Sequence, residues 1–158
     1  MFGFYRKKEP DNEALLKKAN VLYVKKKYTS ALKIYARILK VDSKNFAALA
    51  NTATAYFELQ KFDLSIPFFK EVIKIDSNNP WWHNYLSQSL QKCGNFKAAL
   101  DSAWQAILLG ENDNAHHINF AYALYEIYDE TGHEKTDLYV IFGNTTPPQH
   151  RQKFLRCL

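Results

Sequence analysis

An all-α solenoid is the fold class this sequence predicts, and three observations predict it. The first is a period. Tyr28, Phe62 and Phe96 lie 34 residues apart, and Ala31, Ser65 and Ala99 follow each by three. Ala19, Ala53, Ser87 and Ala121 keep the same spacing, as do Leu32, Ile66 and Leu100, then Val41, Ile75 and Leu109. A fixed period of about 20–50 residues marks stacked supersecondary units. The second observation is what each period contains. Residues 45–79 read NFAALANTATAYFELQKFDLSIPFFKEVIKIDSNN, two amphipathic patterns joined by the polar turn Leu59-Gln60-Lys61. Leu49, Ala53 and Tyr56 fall on one side of the first pattern, and Ser65, Phe69, Val72 and Ile73 on one side of the second. Spacings of three and four hold such residues on one helical face. The third is punctuation: Asn45, Asn79 and Asp113 mark the joins with residue types that cap helices.

This unit resembles the tetratricopeptide repeat family. That family places a small residue where two helices cross, an aromatic at the start of helix B, an alanine three later and a second aromatic four after that. Ala53, Phe62, Ser65 and Phe69 fit in the central unit, and Ala19, Tyr28, Ala31 and Tyr35 in the first. The third has Ser87, Phe96 and Ala99, with Ala103 at the last place. The proline expected at the join is Ser43, Ser77 and Glu111 here. The resemblance spans roughly residues 12–128. It implies a right-handed α-α superhelical solenoid of about three units plus a modified fourth and a capping helix.

In chain order, residues 1–11 read as a flexible basic arm. The solenoid occupies 12–130, with repeats near 12–45, 46–79, 80–113 and 114–130, and 131–158 is a degenerate continuation or capping segment. Helix A of the first repeat is predicted over 13–26 with Asn12 as its cap, and helix B over 29–41. The second repeat places its helices over 46–59 and 63–75, with Pro67 near enough to the start of helix B to cost few bonds. The third opens on Asn79-Pro80, a cap followed by proline at the first helical position, turns at Cys93-Gly94-Asn95, and stops at Gly110. A fourth helix A is predicted over 115–128. Beyond it the register fails at Thr131-Gly132-His133. Residues 137–142 read as a distorted helix rather than a strand, because a lone strand is unstable. A truncated chain with a new domain beginning near Asp137 is the alternative. Thr145-Thr146-Pro147-Pro148 caps a final short helix.

Composition narrows the function. The 47% hydrophobic and 15% aromatic content supports a core without staples. Two cysteines at unrelated spacing, Cys93 and Cys157, make no disulfide framework and suit a reducing compartment. No apolar run reaches membrane length and the first residues are too short for a secretory leader, so a cytoplasmic location is expected. The net charge of +5 is uneven: residues 1–45 hold 12 Lys/Arg against 4 Asp/Glu. That basic third reads as a solvated face, or as a surface for electrostatic contact with an acidic partner. The five histidines have no ligand spacing and Cys93 has no base beside it, so no metal, no cofactor and no catalysis are expected.

The informative surface is the helix A face left over after packing. By resemblance, the family's groove positions fall here on Asn20 and Tyr23 in the first repeat. They fall on Asn51, Thr54 and Phe57 in the second, Trp81, Asn84, Tyr85 and Gln88 in the third, and Asn119 and Tyr122 in the fourth. Amides that donate and accept suit an extended peptide backbone, and aromatics supply pockets for its side chains. Trp81 and Tyr85 are read as groove residues; Tyr23, Phe57 and Tyr125 fit the groove or inter-repeat packing equally. Co-chaperone repeats that clamp a C-terminal carboxylate share Asn20 and Asn51. Their charged places are Leu16, Trp81 and Tyr85 here, which implies a more apolar peptide. The expected function is a non-catalytic adaptor or chaperone-like module that binds a protein or peptide segment. Nucleic acid is not expected as a partner. The alternative is the N-terminal regulatory region of a larger enzyme such as a transferase.

Overall fold

The computed structural model describes residues 11–110 and 114–131, with side chains described over 11–110 and 115–127. Seven α-helices make up these residues: α1 (Asn12–Val24), α2 (Tyr28–Val41), α3 (Phe46–Glu58), α4 (Phe62–Ile75), α5 (Pro80–Lys92), α6 (Phe96–Leu109) and α7 (Asn114–Thr131). Consecutive helices pack pairwise as antiparallel neighbours. α1 also reaches α3, and α5 reaches α7. The odd-numbered helices are the A layer and the even-numbered ones the B layer, so the all-α solenoid expectation holds. The basic arm, apart from Asp11, and everything after Thr131 lie outside the described residues.

Each repeat uses the same three devices at the same places. Helix A is capped by a side-chain oxygen 34 residues from its counterpart. Asp11 accepts from the Glu13 N–H, Asn45 from Ala48 and Asn79 from Trp81, all at 3.1 Å. The first cap is thus Asp11, not Asn12, which is already helical. The A–B turn needs one left-handed residue: Lys26 at φ 56°, Gln60 at 57° and Gly94 at 72°. The following N–H then closes the helix on a carbonyl five residues back. Lys27 reaches Leu22, Lys61 reaches Tyr56 and Asn95 reaches Leu90, each at 2.9 Å. At the joins, where the sequence lacks proline, a carboxylate holds the turn instead. Asp42 accepts from Asn45 Nδ2 at 3.1 Å and Asp76 from Asn79 Nδ2 at 3.2 Å. Asp76 also accepts from Trp82 Nε1 at 2.8 Å.

Burial follows the period. Ala19, Ala53 and Ser87 are fully buried where helix A crosses helix B, and Ala31, Ser65 and Ala99 are buried opposite them. Ser87 Oγ donates to the Ala99 carbonyl at 2.8 Å, a contact only a small residue allows. Tyr35 and Phe69, the second aromatics of units one and two, are also fully buried. Phe62 departs from the expectation of a core residue. It is half-buried, because it opens helix B at the rim and meets Phe57 edge-on at 5.3 Å. Pro67 departs too. α4 starts at Phe62, so the proline is interior and removes one backbone bond. Its side is exposed, where water can meet the carbonyl left over.

The fourth unit differs in kind. α7 has 18 residues where α1, α3 and α5 have 13. It overruns the place where the other repeats turn. Its crossing residue Ala121 is exposed, unlike its three counterparts.

Candidate peptide-binding face

The A-layer face is built by helices that approach closely enough for side chains on successive repeats to bond. Asn51 Nδ2 donates to Asn20 Oδ1 at 3.0 Å, and the Tyr35 hydroxyl donates to the same oxygen at 2.8 Å. Burial first, then nearby Tyr23, pushes the Tyr35 hydroxyl up to about 12. Asn119 Nδ2 donates to Asn84 Oδ1 at 2.6 Å, and Gln91 Nε2 donates to the Asn119 carbonyl at 2.7 Å. Two amide clasps therefore tie repeat one to repeat two and repeat three to repeat four. Asn84 is nearly closed off, at 2% exposure. This revises the expectation that the Asn51 and Asn119 amides stand ready for a ligand. One N–H of each is committed to a neighbouring amide, and the Asn51 side chain also bonds the Tyr35 hydroxyl.

The aromatics divide. Tyr85 packs between repeats. Its ring lies parallel to Phe69, at 2° and 5.6 Å, and meets Phe57 edge-on at 5.1 Å. It wedges α5 against α3 and α4, and burial raises its hydroxyl above the usual tyrosine range. Phe57 joins the same cluster, so its inter-repeat role is the one realised. Tyr23 packs edge-on against Tyr28 at 5.2 Å. Thr54 bonds back to its own helix, to the Ala50 carbonyl at 3.0 Å. Gln88 is half-buried. Trp81 is 46% exposed and rests its ring edge-on against His116 at 5.2 Å, so the fourth repeat props the tryptophan of the third. Tyr122 is 48% exposed, and its hydrogen bond to Glu126 raises its hydroxyl. Ile118 and Tyr125 lie on the same side of α7 and are more exposed still.

Sequence reasoning missed the clasps themselves. Gln91 and Tyr35 hold the amides in place, and the signal was their spacing from Asn119 and Asn20 in a stacked repeat. Among the described residues there is no group of three or more metal-binding side chains. No described helix is long and apolar enough to cross a membrane.

The tetratricopeptide repeat family model matches residues 16–80, which span α1 to α4 with the caps and turns described above. Residues 16–80 are tetratricopeptide repeats. The chain's sequence has no match among curated proteins. Solved structures share the tetratricopeptide fold at low identity. A MamA RS-1 ArsTM double mutant superposes with a TM-score of 0.74 at 15% identity, over 78% of this chain and 70% of its own. MamA 41-end from Desulfovibrio magneticus RS-1 gives 0.71 at 15% identity, over 75% and 67%. The first tetratricopeptide domain of Spaghetti (RPAP3), solved bound to an HSP90 peptide SRMEEVD, gives 0.66 at 17% identity, over 73% and 92%. These repeats support a protein-interaction module.

Proposed function

We propose that this protein is a non-catalytic adaptor that binds an extended peptide segment along its A-layer face. Trp81 carries the reading. A tryptophan ring left nearly half open and braced by a buried histidine from the next repeat is the feature of an interface anchor. The remaining donors and acceptors of Asn51 and Asn119 bond the peptide backbone on either side. Tyr122 adds a second aromatic surface one repeat on. The peptide-bound Spaghetti domain supports the class of ligand. Its peptide is acidic, whereas Leu16, Trp81 and Tyr85 stand here at the charged places, so the ligand proposed is more apolar. A cytoplasmic, chaperone-like setting belongs to this proposal.

Selection from a random peptide library on the full chain tests it. Peptides so found lose at least about 2 kcal/mol, some thirtyfold in affinity, on Trp81→Ala. The melting temperature changes little. Selected peptides that bind the Trp81→Ala protein as tightly as the wild type would sink the proposal.

A further inference from the structure

The same place in successive repeats is filled once and open once. Between α2, α3 and α4, Phe68 packs on the buried cluster of Leu49, Ala50 and Val72, which Leu39 also covers, and stacks on Tyr56 at 5.7 Å. One period later the equivalents of Leu39 and Leu49 are Ile73 and His83, and the equivalent of Phe68 is Ser102. Ser102 is small and turns its hydroxyl back to the Ala98 carbonyl at 2.9 Å. A cleft of about 490 Å³ remains between α4 and α6, lined by Ile73, His83 and Ser102 and floored by Leu86 and Trp104. The floor residues are each 7% exposed, so the bottom is apolar and rigid. It opens on the B-layer side, away from Trp81.

The rim is charged. Lys70 and Lys74 stand one turn apart on the α4 wall, and Asp101 stands on the α6 wall. Lys74 shares its charge with Glu71 at 2.5 Å. Lys70 has no carboxylate within ion-pair distance among the described residues. We infer that this cleft is a second docking site, for a partner segment that inserts one bulky aromatic side chain beside carboxylates. The aromatic takes the volume that Phe68 fills in the preceding repeat. The carboxylates meet Lys70 and Lys74, which lie on the wall where an entering segment crosses the rim. An apolar slot with a cationic edge selects this combination over a purely apolar or a basic segment.

The probe is a short fluorescein-labelled synthetic peptide with one phenylalanine between two pairs of aspartates, titrated into the full chain by fluorescence anisotropy. Ser102→Phe fills the cleft from within and is expected to weaken binding at least about tenfold. Lys70→Ser with Lys74→Ser, both exposed and so tolerated by the fold, is expected to weaken it about tenfold at low salt and to flatten the salt dependence. A probe with alanine for phenylalanine fails to bind, and Trp81→Ala leaves binding in place, which separates this site from the A-layer face. Wild-type binding that survives Ser102→Phe, or that ignores both lysines, overturns the inference. So does a wild type that ignores the probe while Ser102→Phe lowers the melting temperature, since the cleft would then hold part of this chain.

Discussion

Truncating Phe69 tests the repeat register and the way the solenoid shares its stability. The side chain is fully buried where three helices meet. One face of its ring lies against Tyr85 at 5.6 Å, and Phe57 meets it edge-on at 6.4 Å. Phe→Ala in a core costs about 3–5 kcal/mol through lost transfer energy and the cavity left behind. Two aromatic pairs, each worth about 0.5–1.5 kcal/mol beyond area, place this site at the upper end, about 4–5 kcal/mol. That is a large share of the roughly 5–15 kcal/mol that holds a domain folded. Because the ring joins α4 to α5 through Tyr85, the loss falls on the interface between the second and third repeats. A solenoid's stability is a sum of repeat and interface terms, so weakening one joint separates the two sides. Urea unfolding followed by two signals reads this. Circular dichroism reports all helices, whereas the three tryptophans, Trp81, Trp82 and Trp104, all lie in the third repeat. In Phe69→Ala the two curves part, with the tryptophan signal moving independently. A loss under about 2 kcal/mol with coincident curves would refute both the register and the coupling.

Four further expectations follow from single sites. Gln60 sits left-handed at φ 57°, so Gln60→Gly relieves strain of about 1–2 kcal/mol. The added chain entropy takes back about 0.5–1 kcal/mol, which leaves a small net rise in thermal stability. Gly94→Ala lowers stability by about 1 kcal/mol through φ alone, since an added Cβ there meets nothing within 4 Å; an unchanged melting temperature for both would contradict the turn geometry. Burial lowers the His83 imidazole below its usual range, against a smaller opposing hydrogen bond at the Ser77 backbone. The unfolded chain therefore takes up the proton first, and stability is present above about pH 6.5 and is lost as pH falls through the folded value. Melting curves of wild type and His83→Gln, which cannot titrate, should diverge in that window and not above it. Tyr35 holds its proton to about 12, so its contribution is full below about pH 10 and is lost as pH rises from there through about 12. Tyr35→Phe, which also strips a donor from Asn20, should cost about 1 kcal/mol and flatten the alkaline limb of the same measurement.

The sequence carried the fold because its signals are local and repeated. Ala53, Ser65 and Phe69 are read from spacing alone, and the structure buries all three. Asn79 and Pro80 announce a helix start that the structure places at that join. The face was less legible. Tyr85 and Trp81 are four residues apart and share a helical side, yet one is stacked on Phe69 and the other is half open. What separates them is the neighbouring repeat: Phe57 and Phe69 wait beside Tyr85, whereas His116 stands edge-on beside Trp81. Periodicity gives a residue its side of a helix, whereas depth within that side depends on partners far away in the chain. The amide clasps follow the same logic, because Asn20 and Asn51 look like free donors until their helices are brought together.

The extra length of α7 works as a phase slip in a screw. Each earlier A helix ends after 13 residues, and the chain turns back through one left-handed residue every time. Five more residues carry α7 about 7.5 Å further along its axis, and about 100° per residue brings the exit roughly 140° around from the earlier turns. Thr131 therefore presents the end of α7 on a different side from the ends of α1, α3 and α5.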